Sequence, residues 1–235
     1  MRKEGSMNNT HLILRMGSIG AMVAVLALIG VMLLVGLFDL FDYIYLIEGI
    51  LAQKIELSSV DLPRYTVSFQ VYMVTDTVFV IGEMIAWVGL AALIQTRAHP
   101  LGRIVLVMGL LGASFDFVQN AIEWTLIRSQ HLGVSPQPSW FIAWTVVSQL
   151  SYLLIYAVAV MVSLGLWSKK PLDRVLGVIG GPLTVLAVVG LYVPDWYALA
   201  FLWFFAFFLC AGILLWRRAA EWSAGAWPGQ EASHG

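Results

Sequence analysis

Long apolar runs separated by short connections that carry most of the charge dominate this chain. Residues 16–38 contain no Asp, Glu, Lys or Arg. At a helical rise of about 1.5 Å per residue such a stretch crosses a hydrocarbon core of about 30 Å. Further runs cover residues 67–94, 104–126, 140–166, 175–193 and 196–216. Backbone groups in lipid must find partners within their own segment, so runs of this length predict six transmembrane helices. The fifth is interrupted by Gly180, Gly181 and Pro182, which predicts a kink near the proline. The expected fold class is therefore all-α: a polytopic membrane helix bundle of six transmembrane helices over residues 16–217. It is preceded by a short segment, 1–15, and followed by a flexible tail, 218–235. Arg2 and Lys3 ahead of an apolar run resemble the start of a signal peptide, but the run exceeds the roughly 7–15 residues of such a segment and reads as an uncleaved anchor. Between the first two spans, residues 42–54 read as an amphipathic continuation of the first helix, ended by the time Pro63 is reached.

Composition agrees with a bilayer protein. The chain is 60% hydrophobic and 11% charged, with a mean hydropathy of +0.85, well away from soluble domains. Its 13 basic and 14 acidic residues leave no concentrated basic surface, which argues against nucleic acid as a partner. The lone Cys210 excludes an intrachain disulfide, and His11, His99, His131 and His234 all fall in tails or connections. A histidine metal centre inside the membrane is therefore disfavoured, and no phosphate loop, nucleophile elbow or metalloprotease helix implies a cofactor or a soluble-type active site. Ten of the 13 Lys and Arg residues lie before the first span or after the second, fourth and sixth. Under the positive-inside rule both termini are expected in the cytoplasm.

The informative residues are polar ones inside the spans, because an ionisable group there costs at least about 2.5–3.5 kcal/mol to insert and normally faces the bundle interior. Asp76 and Glu83 are seven apart and share a face of the second span. Asp116, Asn120 and Glu123 follow the i, i+4, i+7 pattern on the third. Ser148, Gln149 and Tyr152 on the fourth read either as interhelical hydrogen-bond glue or as the far wall of a shared cavity. With no Lys or Arg inside any span, the four carboxyls must be held neutral, hydrogen-bonded to one another, hydrated or bound to a cation. Trp87 and Trp144 fall deep enough to line the same cavity, whereas Asp39 and Asp42, beside Tyr43 and Tyr45, read as a solvated outer helix end.

Arg15-Met16-Gly17 at the start of the first span, and Lys169-Lys170-Pro171-Leu172-Asp173-Arg174 leading into Val175-Leu176-Gly177, resemble a group of small six-helix bacterial membrane proteins catalogued as a domain of unknown function. That resemblance covers most of the chain and implies architecture and a multi-pass place in a bacterial inner membrane, but no activity. It does not extend to Asp116, Asn120 and Glu123. Three functions compete. The first is an enzyme acting on an apolar lipid or isoprenoid by acid–base chemistry, cyclase- or isomerase-like, with Glu83 and Asp116 as the primary pair. Asp76 and Glu123 complete its catalytic group, with Asn120, Gln149, Tyr152, Trp87 and Trp144 binding the ligand. The second is a small proton- or cation-linked transporter or channel. The first three spans hold all the intramembrane acids and the last three hold none, so no internal repeat supports an inverted-repeat transporter. The third is an assembly protein whose polar face docks a partner's helix.

Overall fold

A computed structural model describes residues 3–37, 66–134, 137–168, 170–192 and 197–224. Among the described residues the chain forms seven helices and no strand: α1 (Lys3–Leu37), α2 (Thr66–Gln95), α3 (His99–His131), α4 (Pro138–Leu166), α5 (Pro171–Gly180), α6 (Pro182–Tyr192) and α7 (Tyr197–Ser223). The expected amphipathic stretch 42–54, with Asp39 and Asp42, lies outside the described residues, as does most of the tail. Six segments are long and apolar enough to cross a membrane, with α5 and α6 together making the fifth. The last helix continues to Ser223, beyond the 217 boundary read from hydropathy.

Local chemistry sets the helix ends. Pro138 and Pro171 occupy first-turn positions of α4 and α5, where a missing N–H costs nothing, and the residues before them, Gln137 and Lys170, are extended. After α3, Gly133 adopts φ +70°, and Val134 N–H reaches back to the Ser129 carbonyl at 2.9 Å, the closing bond of a left-handed helix cap. The expected interruption of the fifth span falls between Gly180 and Pro182. Carbonyls around it are taken up by side chains. Thr184 Oγ1 donates to the Gly180 carbonyl at 2.8 Å, Trp203 Nε1 from α7 donates to the Ile179 carbonyl at 2.8 Å, and Ser163 Oγ from α4 donates to the Gly177 carbonyl. A broken helix is tolerated in lipid when neighbours supply partners in this way.

The bundle is organised around α2, which packs against α1, α3 and α7. Contact with α1 is made backbone to backbone: a Cβ on Gly89 would lie 2.6 Å from the Gly17 Cα, and one on Gly82 would lie 2.7 Å from the Gly20 carbonyl oxygen. Small residues permit this approach, and dispersion between closely spaced helices replaces the hydrophobic drive that lipid cannot supply. On the other side of α2, Trp87 is fully buried against Phe207 and Phe208 of α7, with ring centroids 5.5 and 5.6 Å away. Tyr156 of α4 joins this cluster through Trp203, at 4.9 Å. The outward faces are equally apolar. Ile142, Leu153 and Leu164 of α4, each about two-thirds exposed, are eleven residues apart and form one lipid-facing stripe.

Candidate functional site

The two acid-bearing helices pack directly against each other, running in opposite directions. The seven-residue spacing of Asp76 and Glu83 on α2 then meets the i, i+4, i+7 stripe of α3. Asn120 Nδ2 donates to Asp76 Oδ2 at 2.6 Å, which joins the two stripes. Asn120 and Glu123 are buried, while Asp76 and Asp116 are half-buried. Asp116 lies within electrostatic reach of Asp76, Glu83 and Glu123. One turn of helix below Glu83, Trp87 Nε1 donates to its Oε1 at 2.8 Å. The other oxygen, Oε2, is buried and has no hydrogen-bond partner among the described residues, although Glu83 is wholly inaccessible. Trp144 of α4 is turned towards the Glu123 carboxyl, its N–H short of hydrogen-bond geometry.

The fourth helix contributes less than its sequence suggests. Gln149 is exposed on the surface of α4, and Tyr152 stacks on Tyr156, centroids 6.5 Å apart, beside the aromatic cluster. Contact with α3 is made instead by Ser151, whose hydroxyl donates to the Gly112 carbonyl at 3.1 Å. Four carboxyls, one amide and two indoles thus form the polar centre. Among the described residues no group of three or more His, Cys, Asp or Glu is arranged to hold a metal ion. The polar centre also ends abruptly. Below Glu83 and the Trp87 that binds it, Leu90, Leu93 and Ile94 of α2 and Val105 of α3 are fully buried and apolar.

A second charged centre lies at the far end of this dry layer, about 21 Å from Glu83 along α2 at 1.5 Å per residue. Asp173, at the start of α5, is fully buried and pairs with Arg218 of α7 at 2.6 Å and with Arg97, from the α2–α3 connection, at 3.0 Å. Ser168 Oγ donates at 2.6 Å to Oδ2, the oxygen that Arg97 also reaches, and Arg218 also reaches Glu221 at 2.6 Å. Sequence reasoning treated Arg97 and Arg218 as topology markers and missed this network. A signal was present: Asp173 is an acid in the most basic connection of the chain. Here each carboxylate has a cation, whereas the four acids between α2 and α3 make no ion pair among the described residues.

No family model, curated protein or solved structure matches this chain.

Proposed function

We propose that the α2–α3 carboxyl group is an intramembrane acid–base site acting on an apolar lipid or isoprenoid molecule. The observation that carries this reading is the Glu83 carboxyl, fully buried, with one oxygen held by Trp87 and the other without a hydrogen-bond partner among the described residues. A carboxyl in that setting is neutral unless a cation joins it, and a neutral carboxyl is a proton donor. Glu83 and Asp116 form the working pair. One transfers its proton to an alkene, epoxide or carbonyl oxygen of the substrate, and the other, ionised, takes a proton from the adjacent carbon, so the protein returns to its starting charge after one proton relay. Asp76, Asn120 and Glu123 orient the pair, and Trp87 and Trp144 supply aromatic walls that favour a cationic intermediate.

The dry layer beneath Glu83 supports a site over a conducting path, because an ion entering along the acids meets fully buried leucine and isoleucine before the opposite end. We further propose that the end carrying Arg97, Asp173 and Arg218 faces the cytoplasm, with both termini, in a cell membrane of bacterial inner-membrane type. Mass spectrometry of lipids extracted from the purified protein tests the first proposal. A specific apolar molecule retained by the native chain and lost or accumulated in Glu83→Gln supports it. No retained molecule, together with measurable proton or cation flux into liposomes, replaces it by transport.

A further inference from the structure

At the basic end of the bundle, the first turns of the α1 span and the last turns of α7 enclose a groove of about 440 Å³. His11 and Arg15 form one wall, and Trp216, Ala219, Ala220 and Ser223 form the other. The apolar span of α1 begins at Asn9 and that of α7 ends at Ser223, so the groove sits where the helices leave the hydrocarbon. We propose that it binds the phosphate headgroup of an anionic phospholipid.

Charge complementarity is the main argument. Arg15 is exposed, and its guanidinium stands 5.3 Å over the Trp216 ring, which orients the donor fork while leaving its edge open. His11 adds a ring N–H donor, and among the described residues no acid lines the groove. The nearest carboxylate in sequence, Glu221, is engaged on another face by Arg218 and Lys170. Ala219 and Ala220 leave an apolar floor, which suits the glycerol and upper acyl region of a lipid and gives a free phosphate ion nothing to contact. A half-exposed tryptophan at this depth fits the headgroup boundary. Basic pockets between membrane helices recognise anionic headgroups by this chemistry.

The test uses the full chain purified in mild detergent, titrated with phosphatidylglycerol, phosphatidylcholine or inorganic phosphate, and read by melting temperature and by lipid retention in native mass spectrometry. Phosphatidylglycerol should stabilise and be retained; phosphatidylcholine and phosphate should not. Arg15→Gln should weaken the apparent affinity for phosphatidylglycerol on the order of five-fold, whereas Arg15→Lys should keep most of it. Ala220→Leu, which fills the groove without touching its charge, should weaken binding as well. Arg103→Gln removes an exposed cation of the same end outside the groove and should have no effect. The proposal is overturned if phosphatidylcholine stabilises equally, if inorganic phosphate reproduces the shift, or if Arg103→Gln loses as much as Arg15→Gln.

Discussion

Replacing Asp173 by Asn tests how the basic end of the bundle is held. Its carboxylate receives Arg218 at 2.6 Å, Arg97 at 3.0 Å and the Ser168 hydroxyl at 2.6 Å, and so joins three segments distant in sequence: the α2–α3 connection, the α4–α5 connection and the end of α7. Asparagine keeps the volume and one acceptor oxygen, but it presents an amide where a cation or hydroxyl now donates. Removing one partner of a buried ion pair costs about 3–5 kcal/mol, largely because the remaining charge stays desolvated. Two features move Asp173→Asn towards the lower end. Arg218 retains Glu221 at 2.6 Å, and the Arg97 side chain is 24% exposed. A cost of about 3 kcal/mol, at roughly 2–4 °C per kcal/mol for a chain of this size, lowers the melting temperature by about 6–12 °C.

The assay is thermal unfolding in detergent, with Lys170→Gln as the internal reference. Lys170 and Glu221 are 3.3 Å apart but 45% and 37% exposed, and an exposed pair contributes about 0–1 kcal/mol. A double substitution, Asp173→Leu with Arg218→Met, should recover part of the loss, since an apolar replacement of the pair removes the stranded charge. If Asp173→Asn melts with Lys170→Gln and the native chain, the network contributes nothing measurable and the reasoning fails.

Gly89→Ala places its Cβ 2.6 Å from the Gly17 Cα, where only backbone can yield, so it should destabilise by about 1–3 kcal/mol. Gly30→Ala meets only the Thr75 methyl at 3.1 Å and should melt nearer to native; equal melting points would argue against a close α1–α2 crossing. For topology, single cysteines in a Cys210→Ala background should be labelled from outside at Val134, in the α3–α4 connection, and only from inside at Lys170; the opposite pattern would invert the proposed orientation. Glu83→Gln keeps the bond from Trp87 and should melt at or above the native temperature, while any turnover found should fall on the order of 10²–10⁴-fold. Full activity in a folded Glu83→Gln, Asp116→Asn protein would dispose of the acid–base reading.

The legible parts of this fold are those where physics leaves one solution. Helical spans follow from the demand that backbone be satisfied in lipid, and the acid stripes follow from the price of exposing a carboxyl to hydrocarbon, which forces Asp76 and Asn120 towards each other. Helix–helix pairing away from the acids was not legible. Inner and outer faces of α1 and α4 are both apolar, so hydropathy does not distinguish Ala21, fully buried, from Leu26, 67% exposed. The Gly17–Gly89 approach is therefore not legible from hydropathy. Gln149 failed for a related reason. One residue along a helix turns the side chain by about 100°, so the buried positions on that face of α4 are Ser148 and Ser151, and Gln149 is carried outward.

Comparing the two charged centres sharpens the case for function at the first. A carboxylate kept only to hold helices together is cheapest when cations come with it, and Asp173 has two arginines and a hydroxyl within 3.0 Å. The acids between α2 and α3 have an amide and two indoles, and Glu83 keeps one oxygen without a partner among the described residues. Glutamine at position 83 could accept the same Trp87 bond without the desolvation burden of an ionisable group, so fastening alone gives no reason for glutamate there. What glutamate adds over glutamine is a transferable proton. The same comparison applies at position 116, where asparagine would match the volume of Asp116 and remove its repulsion with three neighbouring acids. Retaining carboxyls at both positions makes sense if the site moves protons, and the stability of the paired amide variants beside their activity separates that account from a merely structural one.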